Sequence, residues 1–412
     1  MSGPLCGIRV IDLTSVVMGP YASSVLADYG ADVIKIEPPD GDVMRKSGPM
    51  KKPDMGHFYL ALGRNKRSVA LDLKNPAALA VLLRMAKDAD VLVYNIRPQA
   101  MARLGLGYER LHEINPRLVY AGAYGFSQKG PYAAKPAYDD LIQGMCGIPW
   151  LSQEAGADRP RYAPMVLVDR MAGLQLCTAI TSALVYRERT GKGQKVDVPM
   201  FEGMLSVMLG EHLAGSQFSP PKGPPGYQRS LAHDRRPYAT LDGHICVLVY
   251  NDKHWRAFFS VIGKPEIFET DARFQSQSQR LENIDHVYGF LSDVIGTRTT
   301  AYWLEVFDKA DIPAARMYAI QDILADEHVR ATGFVRKVDH PTQGELQITA
   351  IPTEWSESVP ENRLHAPDLG ENTREVLAEF GYSEAEIDQL HASGAAGAPS
   401  RIANPIPIEG NA

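Results

Sequence analysis

The chain has 412 residues, 45% of them hydrophobic and 22% charged, enough for two or three ordinary domains around sizeable cores. A formal net charge of -6 argues against a nucleic-acid or anionic-membrane partner, since both favour clustered positive charge. The four cysteines, Cys6, Cys146, Cys177 and Cys246, form no CxxC pair, so no metal is expected. With no leader pattern and no apolar run of bilayer length, the chain reads as soluble and cytoplasmic.

In chain order, residues 8–13 (IRVIDL) read as a strand, followed by a turn at Gly19-Pro20 and a helix over 22–29. Residues 32–36 (DVIKI) are a second strand, and 69–73 a third that leads into a helix opened by Asn75-Pro76. Residues 91–94 and 118–121 are two more strands, each preceded by a helical segment. This alternation predicts an α/β fold with a mainly parallel, Rossmann-like sheet, whose ligands sit at the carboxyl ends of the strands. A long helix is predicted from about Asp169 to Arg189, stopped by Gly191 and Gly193, then a strand over 195–198 and a helix from Phe201.

The proline- and glycine-rich run 219–226 reads as a linker or loop, and 238–250, with its Asp242-Gly243 turn, as a hairpin opening a smaller α+β domain. Residues 347–351 form a further strand, and 393–400 (SGAAGAPS) a low-complexity, mobile tail. The expected division is a large domain of 1–205 with 331–412, a linker over 206–225, and a small domain over 226–330.

No GxGxxG, GxxxxGK[ST], HExxH or GxSxG occurs, which removes the sequence handles for nicotinamide, P-loop, zincin and α/β-hydrolase chemistry. Asp169 stands between the apolar run 165–168 and a helix with small residues at Ala172 and Gly173. It is either a helix N-cap or a nucleophilic carboxylate in a desolvated cleft, and the pattern alone leaves both open.

Several blocks, in order, resemble the class III (CaiB/BaiF-type) coenzyme A transferases over nearly the whole chain: 7–14, Gly19-Pro20, 30–37, 65–68, 71–74, 122–130, 187–194 and 366–373. The resemblance implies that Asp169 is acylated by a donor acyl-CoA. The mixed anhydride so formed becomes an aspartyl-CoA thioester, and an acceptor carboxylic acid then reverses the sequence. It implies a CoA site lined by Val17, Met18, Leu71, Asp72, Leu73, Lys74, Asn95, Ile96, Arg103 and Tyr138. Coenzyme A is a substrate here, with no tightly bound cofactor. The resemblance also implies an interlocked homodimer whose small domain closes over the aspartate.

Without it, Lys74 and Arg103 read as solvated surface charges, Asn95 as a turn residue and Tyr138 as core filling. Some relatives carry an arginine where this chain has Pro38, so that phosphate contact is either lost or supplied by Arg45 or Lys66. Racemases of the same fold place a histidine before the aspartate in the block matching residues 137–140; Tyr138 stands there, which favours transfer over racemisation, and the presence of Asp169 favours transfer over a non-catalytic acyl-CoA-binding protein. The glycine run of formyl-CoA:oxalate enzymes is missing from 228–238, which disfavours oxalate. Arg235 or Arg236 is expected to hold the distal carboxylate of a dicarboxylate such as succinate, or else to be a solvated pair.

Overall fold

The computed structural model describes residues 2–397. Six strands, β1 (Arg9–Leu13), β2 (Asp32–Glu37), β3 (Lys66–Ala70), β4 (Val91–Tyr94), β5 (Val119–Tyr124) and β6 (Lys195–Pro199), make one parallel sheet. Their order is β3-β2-β1-β4-β5-β6. This is the doubly wound arrangement the alternating pattern predicts, and the strand order reverses between β1 and β4, where a crevice opens at the carboxyl ends. Val10, Ile11, Ile34, Val91 and Leu92 are fully buried at its centre.

The register of β3 differs from the sequence expectation. It begins at Lys66 rather than Val69, and all five residues, KRSVA, are buried. Two of the five, Lys66 and Arg67, are charged, and tertiary partners take them inside. Lys66 Nζ reaches Asp12 at 3.2 Å, and Arg67 pairs with Asp32 at 2.8 Å. The turn expected at Gly19-Pro20 is instead the opening of the first helix, Met18–Asp28. Proline is accepted there because the first helical turn does not use its missing N–H. The helix Pro76–Ala86 starts as predicted, with the Asn75 side chain accepting from the Ala77 N–H. The long helix spans Leu167–Thr190 and stops at Gly191, whose φ of 75° is the left-handed cap glycine permits.

The chain forms two compact units. Among the described residues, one contains 2–142, 166–204 and 331–397; the other contains 143–165 and 205–330. These boundaries differ from the expected ones in two places. Residues 143–165 join the second unit because the helix Ile148–Glu154 packs on the helix Gln228–Leu231. Residues 206–225 are no free linker. The helix Met200–His212 runs into them, and hydrogen bonds from Lys222 N to Gly215 O (2.9 Å) and Gly226 N to His212 O (2.8 Å) fold the proline-rich run back. The second unit is α+β, with a three-stranded antiparallel sheet of Tyr238–Ala239, His244–Val247 and Ala314–Arg316. Its core is aromatic, built on Trp255, Phe258, Phe259, Phe274 and Phe307.

Residues 393–397 are not a loose tail. Ala395 and Ala396 are buried, Asp72 N donates to Ala395 O at 3.0 Å, and Gly397 N donates to Ala70 O at 2.9 Å, around an antiparallel bridge between Leu71 and Ala396. Residues 398–400 of that expectation lie outside the described residues.

Six charged side chains are buried around β1, β2 and β3: Asp12, Lys35, Glu37, Asp42, Arg45 and Lys66. They pair as Lys35–Asp42 (3.0 Å), Arg45–Glu37 (2.7 Å) and Lys66–Asp12 (3.2 Å), so three carboxylates meet three cations. Burial raises the Glu37 carboxyl, but Arg45 and Lys35 outweigh it and hold the pKa at about 2. A buried pair broken on one side leaves an uncompensated charge. Arg45→Met is therefore expected to lower the unfolding free energy by about 3–5 kcal/mol, measured by urea denaturation at neutral pH.

Candidate active site

Asp169 is the third residue of its helix, after Val166 at the N-cap, so it is not a cap. The capping oxygen comes from another residue: Asp169 N donates to Asp139 Oδ1 at 3.0 Å. The Asp169 carboxyl is mostly buried, and its pKa is pushed up to about 7, first by burial and then by the Asp139 charge, with Arg170 pulling the other way. Arg170 is drawn aside onto the Tyr21 ring of the first helix, 4.4 Å from its centroid. A carboxylate made more basic by desolvation is a stronger nucleophile than one in water.

The two helices that meet here approach closely because of Gly173, one turn after Asp169. A Cβ at Gly173 would stand 2.8 Å from Met18 O and 3.0 Å from the Tyr21 ring. Gly19 lets the first helix fold back on its own preceding loop, since a Cβ there would lie 2.3 Å from Thr14 Cβ. The start of the first helix, with no side-chain cap, is thereby brought to the wall that Asp169 shares. Its unpaired N–H groups suit developing negative charge.

Asp169 opens onto a cleft of about 420 Å³, whose walls include Val17, Met18, Asn95, Ile96 and Tyr138. A second cleft of about 420 Å³ holds Leu71, Asp72, Leu73, Lys74 and Ile96. Ser15 and Ile96 line both, so the two are continuous along the crevice between β1 and β4. Of the expected CoA-contact residues, only Arg103 lines neither; it is exposed at the end of the helix Pro98–Arg103. Tyr138 is exposed, which rules out core filling. Both polar atoms of Asn95 are spent on one residue: Oδ1 accepts from Ser15 N at 2.9 Å and Nδ2 donates to Ser15 O at 2.7 Å.

Arg45 and Lys66 do not replace an arginine at Pro38. Both are enclosed in the buried pairs described above, where a ligand phosphate has no access. Two exposed cations that the sequence analysis passed over, Arg97 and Lys135, line the inner cleft with Tyr138. Arg97 directly follows Ile96 and Lys135 lies three residues before Tyr138, and that adjacency was the available signal. Asp139 was likewise visible only as the neighbour of Tyr138. Arg235 and Arg236 are exposed residues of the second unit, where Arg236 pairs with Asp234 at 2.7 Å.

No histidine lines the inner cleft among the described residues. Likewise, among those residues no group of three His, Cys, Asp or Glu side chains is placed to hold a metal ion, and no helix is long and apolar enough to cross a membrane.

Residues 5–373 match the sequence profile of CoA-transferase family III. The chain belongs to this family. It is 35% identical to the acetyl-CoA:oxalate CoA-transferase of Acetobacter aceti, over 93% of this chain and 97% of that one. It is 29% identical to the succinyl-CoA:glutarate CoA-transferase of Mus musculus, over 95% and 90% of the two chains. A CaiB/BaiF family protein from Brucella suis superposes with a TM-score of 0.76 at 30% identity, over 92% of this chain and all of that one. This family III protein is a CoA transferase, acting on CoA thioesters.

Two outcomes follow for this transferase. Gly173→Ala is expected to separate the two helices and lower kcat by roughly 10²-fold, with the fold retained, as read by steady-state kinetics and circular dichroism. Asp169 has a folded pKa above its unfolded one, so its contribution to stability is complete below about pH 4 and is lost as pH rises through about 7. Asp169→Asn is accordingly expected to be inactive yet more stable at pH 8, by on the order of 2 kcal/mol, with no gain at pH 4. Thermal denaturation at the two pH values checks this.

Proposed function

We propose that Asp169 is the nucleophile of a transfer reaction that moves CoA from a donor acyl-CoA to a small dicarboxylic acid. The observation that carries this reading is the desolvated Asp169 carboxyl at the junction of a capless helix start and a continuous two-part cleft. An Asp169 oxygen attacks the thioester carbonyl; the C–S bond breaks and CoA leaves as thiolate. The thiolate then attacks the aspartyl carbonyl of the mixed anhydride, which releases the donor acid and leaves aspartyl-CoA thioester. The acceptor carboxylate attacks that thioester, and the returning thiolate takes the acceptor acyl group and frees Asp169. No proton is gained or lost overall, and each intermediate keeps the acyl group activated.

The Val17 and Met18 amides at the helix start receive the oxyanion of each tetrahedral intermediate. Leu71 to Lys74 and Ile96 hold the CoA arm along the outer cleft, with Lys74, Arg97 and Lys135 as the exposed cations for its phosphates. Arg103 is kept as a weaker phosphate contact at the rim. Tyr138 lies beside the thioester. The dicarboxylate class is supported by relatives named for oxalate and for glutarate as acceptors. A relative named for oxalate supports keeping oxalate among the candidate acceptors, although the glycine run is missing here. Arg235 and Arg236 are proposed to bind the distal carboxylate, and replacing each with Met is expected to raise KM for dicarboxylates alone. The working form is proposed to be an interlocked homodimer in the cytoplasm, as the family resemblance implies; a monomer that appears on dilution under native conditions would contradict it.

The decisive experiment mixes the protein with succinyl-CoA and traps with hydroxylamine or borohydride. Mass spectrometry is expected to find the modification on Asp169. Its absence there, with turnover intact, would overturn the reading. Below about pH 7 the rate of acylation is expected to fall about tenfold per pH unit as Asp169 takes up its proton.

A further inference from the structure

The loop that joins β1 to the first helix contains Val16 at a φ of 68°, in the left-handed region. A β-branched residue rarely adopts that conformation, and it persists only where the surroundings impose it. Here they do so group by group. Thr14 N donates to Asp12 Oδ1 (2.8 Å), and Thr14 O accepts from Lys35 Nζ (2.8 Å). Ser15 is held at both its N–H and its carbonyl by Asn95. Val16 N donates to Asp42 Oδ1 at 3.3 Å.

Asp42 is therefore the residue that meets the left-handed turn itself. It is buried, and its second oxygen accepts from Lys35 Nζ at 3.0 Å. Its own N–H donates to Glu37 Oε2 at 3.0 Å, so it is fixed to the charged cluster on two sides. It also belongs to the outer cleft, beside Gly41 and Val43, whereas Val16 and Val17 belong to the inner cleft with Asp169. One carboxylate thus spans the boundary between the two clefts.

We propose that Asp42 is a positioning residue for acyl transfer: it holds Val16 in the left-handed turn and so keeps the Val17 and Met18 amides at the wall shared with Asp169. The inference rests on the proposed part of Asp169. It adds that the outer cleft sets the geometry of the inner one through a single side chain. The remote part of CoA, seated against residues 41–43, bears on the same carboxylate that fixes the oxyanion site. Binding energy from that remote part is in this way available to the reacting centre.

The test uses a double substitution on the full-length protein. Asp42→Ala is expected to lower the rate of Asp169 acylation by succinyl-CoA roughly 10²-fold, followed by single-turnover trapping. Val16→Gly then supplies a residue that enters the left-handed turn without help. The Asp42→Ala/Val16→Gly protein is expected to regain about tenfold or more of the lost rate, while its melting temperature stays at or below that of Asp42→Ala. A merely structural Asp42 predicts no such recovery, because the glycine adds further disorder. An unchanged or lower rate in the double variant overturns the proposal, as does an Asp42→Ala protein that acylates at the wild-type rate. If Asp42→Ala does not fold, Asp42→Asn, which keeps an oxygen for the Val16 N–H, is expected to acylate Asp169 within a few-fold of the wild-type rate, and a roughly 10²-fold loss in the folded Asp42→Asn protein overturns the proposal. A wild-type protein that forms no Asp169 adduct refutes the nucleophile itself, and that result is separate from the Asp42 comparison.

Discussion

The site depends on a buried, balanced cluster of charges beneath the end of β1. Asp12 collects Thr14, Ser23 and Lys66, while Lys35 bridges Thr14 O and Asp42. Such a cluster is costly to desolvate, and hydrophobic residues of similar volume would serve stability as well. What it supplies is direction. Each carboxylate and ammonium has fixed partners, so the loop above them has one conformation, including a turn that valine would not take unaided. The Lys66 ammonium, whose pKa burial brings down to about 8 with Lys35 adding to the effect, also accepts its place by bonding Pro20 O at the start of the first helix.

That loop and helix matter because they face Asp169. Burial and Asp139 make the Asp169 carboxyl reluctant to ionise, which is a cost in the resting protein and would be an advantage in the proposed attack on a thioester. The same Asp139 caps the Asp169 helix through the Asp169 N–H, so one residue both fixes the Asp169 backbone and tunes its charge. Gly173 then determines how near the first helix comes. The site is in this way built from two helix starts, the one capped by a carboxylate and the other left without a side-chain cap.

Electrostatics explains where a linear reading of cations fails. Arg45 and Lys66 look as available as Lys74 in the sequence, yet both are enclosed in pairs that no ligand reaches, whereas Arg97 and Lys135 are exposed in the cleft wall. The difference lies in the strands they occupy or adjoin. Lys66 is a residue of β3, covered on both faces, while Arg97 and Lys135 lie in connections beyond the carboxyl ends.

The sequence by itself determined the alternating α/β rhythm, the glycine stop of the long helix and the isolation of Asp169 before small residues, because these are local: periodicity, cap chemistry and residue size act within a few positions. Family blocks in order extended that to the chemistry. Only the tertiary structure decided that β3 begins on two charged residues, that Asn95 spends its amide on Ser15, and that Asp42 reaches Val16. It also decided that residues 143–165 and 206–225 belong with the second unit. Each of these is a pairing between segments distant in the chain, and a buried charge cannot be told from a solvated one until its partner is in place.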